Sequence, residues 1–285
     1  MIGTSQCKAV AASVGNTELV IVDCPGFDDT VRSDTEILRE ITEMLSALYI
    51  VSLKLKGVIY LHRITDNRMQ GSAMKNLQLF MKLVGESALS NVVFVTTMWG
   101  KVQKNDESEA NDHDSELREE YWADFLRLGA SATRFDGSQA SAEGILSQLL
   151  GKKDVVLKVQ HELVDERMSL NQTTAGAFLE PVVHRQEAEF EARVQVLKEQ
   201  LKVEKDSSKR LDVTRSKRKA EAGKAQRKKD LETLQSKQAE EMEVKLSKLR
   251  AGSLDVWKNA LQALAAVVSI SVGIAGFAIG MAGGF

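Results

Sequence analysis

The chain opens on strand-like alternation and then changes period. Residues 8–14, KAVAASV, and 17–23, TELVIVD, read as two strands flanking Gly15-Asn16, a two-residue hairpin turn. From Ser33 to Tyr49 the apolar positions are 37, 38, 41, 44, 45 and 48, the helical period. Ser33 and Glu36 have capping-box spacing at its start. The run GVIYLHRI, 57–64, opened by Gly57, predicts a short buried strand. A second helix is predicted over 70–84, with Leu77, Phe80, Met81 and Val84 turned inward. NVVFVTTMW, 91–99, is a further strand of β-branched residues. The acidic segment 101–120 reads as a solvated loop entering a helix near 116–128. SATRFD, 131–136, is the last predicted strand and 141–150 the last helix of this part.

Strands alternating with helices predict an α/β fold with a parallel sheet, the hairpin adding an antiparallel edge. Functional groups in such sheets gather at the carboxyl ends of the strands. Asp23, the 62–68 loop, Thr96-Thr97 and Asp136 all fall at such ends.

After residue 150 the pattern changes. Residues 155–180 read as one helix or a helical hairpin, and 151–184 as a helical extension. From 185 to 258 there is no proline, and the glycines are Gly223 and Gly252. Phe190, Val194, Leu197 and Leu201 step by 4, 3 and 4, a coiled-coil seam that calls for a partner helix from the body or from another copy. Met242, Leu246 and Leu249 resume the pattern. Between the two, residues 202–229 hold twelve Lys/Arg against four Asp/Glu. A solvated charged helix is the plain reading; anionic lipid and nucleic acid are the alternatives. No aromatic residue interleaves with these cations, which disfavours nucleic acid. Residues 259–285 carry no charge and are long enough for a helix to cross a bilayer. A membrane anchor and a helix docked on the body are both open for this tail. Gly276, Gly280 and Gly284 lie four apart in it, as in close helix packing.

Composition narrows the classes. With 285 residues, 43% apolar and 27% charged, the chain can bury one domain core and carry extensions. Cys7 and Cys24 give neither a disulfide framework nor a metal-ligand spacing, and fit a reducing, cytoplasmic compartment. The four histidines, at 62, 113, 161 and 184, are scattered. No signal peptide is expected.

The candidate chemistry lies in LVIVDCPGFDDT, 19–30. A strand ending in Asp, then Pro and Gly, suits a nucleotide hydrolase: the carboxylate holds magnesium and the glycine N–H meets the terminal phosphate. The same letters also make an ordinary turn. Three segments in order, VDCPGFDDTVRSDTEILREI, GVIYLHRITDNRMQGSAMKNLQLFMKLVG and NVVFVTTMW, closely resemble the G-domain-containing P-loop GTPases of fungi. These are relatives of the septin-like and immunity-associated GTPases. The resemblance runs over residues 5–180 and includes LKVQHELVDERMSLNQTTAGAFLE.

The resemblance implies a partial G domain over 1–150 with a Ras-like sheet order, a GTPase switch, and GTP with Mg2+ as cofactors. It assigns Asp23 to the metal and Asp23, Pro25, Gly26, Thr96 and Thr97 to the nucleotide; catalytic residues stay unassigned. The chain also departs from the family. No G-x-x-x-x-G-K-[ST] loop precedes Val20, so an N-terminally truncated G domain without its phosphate loop is expected. In SQCKAV, 5–10, Cys7 stands where the switch threonine belongs, and a thiol is a poor magnesium ligand. TTMW, 96–99, lacks the aspartate that reads guanine, and Trp99 is either a rim aromatic or a base-stacking one.

Two functions follow: a GTP-binding protein defective in hydrolysis, or a non-catalytic scaffold acting through its 185–258 arm and its tail. The arm would support self-association and the tail membrane attachment. Without the family's first strand, the 17–23 strand is expected either to pair directly with 57–64 or to leave the sheet open.

Overall fold

A computed structural model describes residues 6–27, 32–66, 69, 71–249 and 277–282. Strands β1 (Lys8–Val14) and β2 (Thr17–Cys24) form the expected hairpin, Val14 opposite Thr17. Gly15 sits at φ 57°, the left-handed conformation that the first position of a tight hairpin turn requires. Helix α1 (Asp34–Ile50) opens with a complete capping box between Ser33 and Glu36, and buries Ile37, Leu38, Ile41, Met44, Leu45 and Leu48. Strand β3 (Gly57–Arg63), helix α2 (Ser72–Val84) and strand β4 (Val92–Thr97) follow as the periodicity predicts.

The acidic segment differs from expectation. It is helical from α3 (Glu107–Glu116) through a wider turn at Leu117–Tyr121 into α4 (Ala123–Arg127). Leu117 and Trp122 are buried there, Trp122 stacking on Phe94 at 4.9 Å. Strand β5 (Ser131–Arg134) and helix α5 (Gln139–Leu150) complete the alternation.

One sheet of six strands runs in the order β1-β2-β6-β3-β4-β5, where β6 is Phe277–Ala282. Strands β3, β4 and β5 are mutually parallel. The structure corrects the expectation about the gap: β2 neither pairs with β3 nor lacks a neighbour on that side. Strand β6 lies between them, antiparallel to both, with Ile21 opposite Gly280 and Val58 opposite Ile279. The physical reason is the backbone. Two inner strands without a neighbour would leave buried N–H and C=O groups unpaired, at about 1–3 kcal/mol each; a six-residue strand satisfies both edges at once.

Alternate side chains of the sheet feed two faces. Val22, Val58, Tyr60, Val92 and Phe94 pack with α1 and α2. Ile59, Val93 and Val95 pack with Ile145 and Leu149 of α5.

Beyond the sheet, α6 (Lys158–Gln160) runs into a short wide turn, and α7 (Thr174–Val203) starts at the Thr173 cap and carries Pro181 inside it. The arm is not one continuous helix. Residues 204–206 end α7, and Asp206 caps α8 (Ser207–Leu234) by accepting from the N–H groups of Ser208 and Lys209. Helix α8 folds back along α7. Gly223 packs on the Phe190 ring, Lys224 pairs with Glu191, and Arg227 reaches Gln186, so the two helices run antiparallel. The seam residues Phe190, Val194 and Leu197 therefore meet Val213 and Ala220 of the same chain. After another break, α9 (Gln238–Leu249) lays Met242 and Leu246 on Ala47 of α1.

Among the described residues no helix is long and apolar enough to cross a membrane. The tail reading at 259–285 lies outside the described residues except at 277–282, which is strand β6.

Candidate functional site

Strand β2 is antiparallel to β6, and so is β3, so β2 runs in the same direction as the parallel set. The sheet thus carries Asp23, Arg63, Thr97 and Arg134 at one edge. Within that edge the predicted site residues fall into two groups. Asp23, Pro25 and Gly26 end β2; Thr96 and Thr97 end β4, three strand spacings away, about 14 Å at 4.8 Å per spacing.

The β2 end is packed. Asp23 is half-buried, and Cys24, Pro25 and Gly26 are buried. Cys7, at the position of the family's switch threonine by the resemblance, faces inward with its Sγ 3.4 Å from that of Cys24. Its main-chain N–H donates to Glu40 Oε1 at 2.6 Å, and Arg32 closes on the other Glu40 oxygen at 2.7 Å. The hydrogen bond with Cys24, then burial, pushes the Cys7 thiol well above its ordinary range. Burial raises the Glu40 carboxyl too, against the bonds from Cys7 and Arg32. These groups tie the hairpin to α1.

The β4 end is a closed polar network. Thr96 is fully buried; its hydroxyl donates to Asp114 Oδ1 at 2.8 Å and accepts from the Trp99 indole N–H at 3.1 Å. The other Asp114 oxygen accepts from Arg118 Nε at 2.9 Å and from Arg134 Nη2 at 2.9 Å. Burial pushes the Asp114 carboxyl up, but the bonds from Arg118, Thr96 and Arg134 outweigh it and hold it below its ordinary value. The Arg134 guanidinium lies over the Trp99 ring at 4.1 Å, so one indole face is covered by a cation of this chain. The Thr97 hydroxyl donates to the His62 carbonyl at 3.3 Å.

Sequence reasoning missed Asp114, Arg118 and Arg134. The i, i+4 spacing of Asp114 and Arg118 was visible, but their attachment to Thr96 depends on where α3 docks. It also missed His62, buried with its ring 5.8 Å from that of His113 and 6.2 Å from that of Trp122. Burial lowers the His62 pKa to about 4, so its imidazole is neutral. Asp136 is exposed beyond β5 and accepts from the N–H of Ser138, an ordinary helix-entry turn.

A third cluster joins the arm to the segment that follows Gly26. Asp230 of α8 is fully buried and accepts from the Ser33 hydroxyl at 2.6 Å and from Gln226 at 3.1 Å, with Arg227 Nε 3.1 Å from its second oxygen. Burial raises the Asp230 carboxyl, partly offset by the Ser33 bond. Lys229 pairs with Glu36 at 2.9 Å.

The Thr96 hydroxyl is engaged by Asp114 and the Cys7 thiol by Cys24. Among the described residues no group of three or more His, Cys, Asp or Glu side chains is placed to hold a metal ion. No protein-family model matches the chain, and no curated protein matches it.

Proposed function

We propose that the chain is a scaffold built on a G-domain-like sheet, one that acts through its docked helical arm and does not turn over GTP. The observation that carries the reading is β6, which occupies the slot between β2 and β3 and runs antiparallel to both. A phosphate loop must follow its strand at the site edge. A strand of this direction enters from that edge instead, its first residue Phe277 opposite Cys24. The Ras-like ancestry of the sheet belongs to the same proposal, supported by the three resembling segments and by Asp23-Cys24-Pro25-Gly26 at the end of β2.

Isothermal titration of the full chain with GTP and Mg2+ tests the reading. No saturable heat is expected; a dissociation constant in the micromolar range or tighter contradicts it. The second reading, a GTP-binding switch defective in hydrolysis, is favoured by the same Asp-Cys-Pro-Gly run. On that reading Asp23→Ala weakens the magnesium dependence of binding. Self-association through 185–258 and residence in the cytoplasm accompany the scaffold reading as proposals; a membrane anchor over 259–285 does not, because that reading needs 277–282 inside the sheet as β6.

A further inference from the structure

Cys7 and Cys24, the two cysteines of the chain, meet at the open end of the β1–β2 hairpin. Lys8 lies opposite Asp23, so Cys7, one step on, faces Cys24, and the two sulfurs are 3.4 Å apart. Two observations make this a non-hydrogen-bonded pair. The two-residue turn at Gly15-Asn16 makes Val14 and Thr17 a hydrogen-bonded pair, and strict alternation from there puts Cys7 and Cys24 at a non-bonded step. The Cys7 N–H agrees: it donates to Glu40 and not across the hairpin. Pairs of this kind bring their Cα atoms to about 4.5 Å, inside the span of roughly 4.4–6.8 Å that a disulfide bridges. Strand β1 is also the edge of the sheet, with β2 its one neighbouring strand among the described residues. The turn ties one end of β1; a bond between the sulfurs would tie the other.

We propose that Cys7 and Cys24 form a disulfide that staples the edge strand to the sheet under oxidising conditions, with glutathione disulfide as the oxidant. One cysteine thiolate attacks glutathione disulfide and expels a glutathione thiolate. The second attacks the protein sulfur of that mixed disulfide and expels the other. The protein gives up two protons and two electrons, and one glutathione disulfide becomes two glutathione thiols. Both cysteines are buried, so the exchange runs while the chain folds or when β1 lifts from β2. Residues 7–24 then form a ring that includes Asp23 and holds the strand end leading to Pro25-Gly26. This inference goes beyond the scaffold reading and does not depend on whether the chain binds GTP.

Refolding of the reduced full chain at graded ratios of glutathione to glutathione disulfide tests it, followed by acid quench and alkylation of the remaining thiols in denaturant. Intact mass separates the dithiol, the glutathione adducts and the intramolecular disulfide. The disulfide is expected to predominate in the oxidising buffers. The same titration in denaturant gives the reference: for a loop the length of 7–24, the fold should favour the disulfide about a hundredfold more than the unfolded chain does. Amide exchange reads the staple itself. Val10 and Ala12 fall on hydrogen-bonded steps of the same alternation and should exchange at least about tenfold more slowly in the oxidised chain. A fold that favours the disulfide no more than the unfolded chain does overturns the inference, because the thiols are then only packed together. Glutathione adducts or free thiols predominating in the oxidising buffers overturn it too. So does equal exchange of Val10 and Ala12 in the two forms, since the bond would then hold nothing in place.

Discussion

The Ser33 hydroxyl donates to Asp230 at 2.6 Å across 197 residues of chain. Ser33 is also the cap of α1, accepting from the N–H of Glu36 at 3.2 Å. One hydroxyl thus joins the start of the helix that follows Asp23-Cys24-Pro25-Gly26 to the base of the arm. The bond ties the C-terminal end of α8 to α1, while Val213, Ala220 and Gly223 hold the helix to α7.

Replacing Asp230 separates its charge from its hydrogen bonds. Asp230→Asn keeps an oxygen that can accept from Ser33 but removes the charge that faces Arg227, so it should cost less than Asp230→Ala. Asp230→Ala leaves Ser33 and Arg227 without their partner and should cost about 2–4 kcal/mol. Chemical denaturation of both variants measures the difference. Equal losses would show that packing, not the polar cluster, holds the arm.

His62 gives a pH dependence of known sign. Its pKa is lowered to about 4 in the fold from an ordinary 6.5, burial first, with Asp66 opposing and His113 and Arg63 assisting. The unfolded chain therefore takes up a proton that the fold refuses. Stability contributed by neutral His62 is complete above pH 6.5 and is lost as pH falls toward 4. The loss should approach about 3 kcal/mol. His62→Leu should flatten this part of the profile relative to the parent; parallel profiles would contradict it.

Cys7 and Cys24 should be unreactive in the fold. Both are buried, and the Cys7 thiol is held well above its ordinary pKa by Cys24 and by burial, so little thiolate is present at neutral pH. An aromatic disulfide reagent should titrate neither thiol in native buffer and both in denaturant. Rapid labelling of native chain would mean that the β1 edge opens.

Much of the sheet was legible because its elements are local. The period of α1, its Ser33–Glu36 cap and the Gly15-Asn16 turn each lie within a few residues. Gly57 was visible as a strand opener, but its reason was not: a Cβ there would come 2.3 Å from the Asn91 carbonyl oxygen. The break in the arm at 204–206 was readable only through the Asp206 cap, because charged residues fill both sides of it and the helical period offers no interruption. At the site, strand-end placement of Asp23, Thr96 and Thr97 followed from the alternation of elements. The engagement of Thr96 by Asp114 and Arg134 did not, since it needs three elements to converge. Strand β6 was hidden most completely. The tail is uncharged and mostly small or apolar, a composition that suits a membrane helix as well as a central strand, and its pairing with β2 and β3 is wholly non-local.

The central claim is that residues 277–282 close the sheet between β2 and β3. Amide hydrogen exchange on the full chain and on a chain ending at Gly276 tests it most directly. With β6 present, the amides of Val20, Ile21 and Val22 and those of Val58 and Ile59 should be protected together. Without it, both strands should exchange at least about tenfold faster, because each loses a hydrogen-bonded neighbour. Unchanged protection of both strands in the shorter chain would contradict the account.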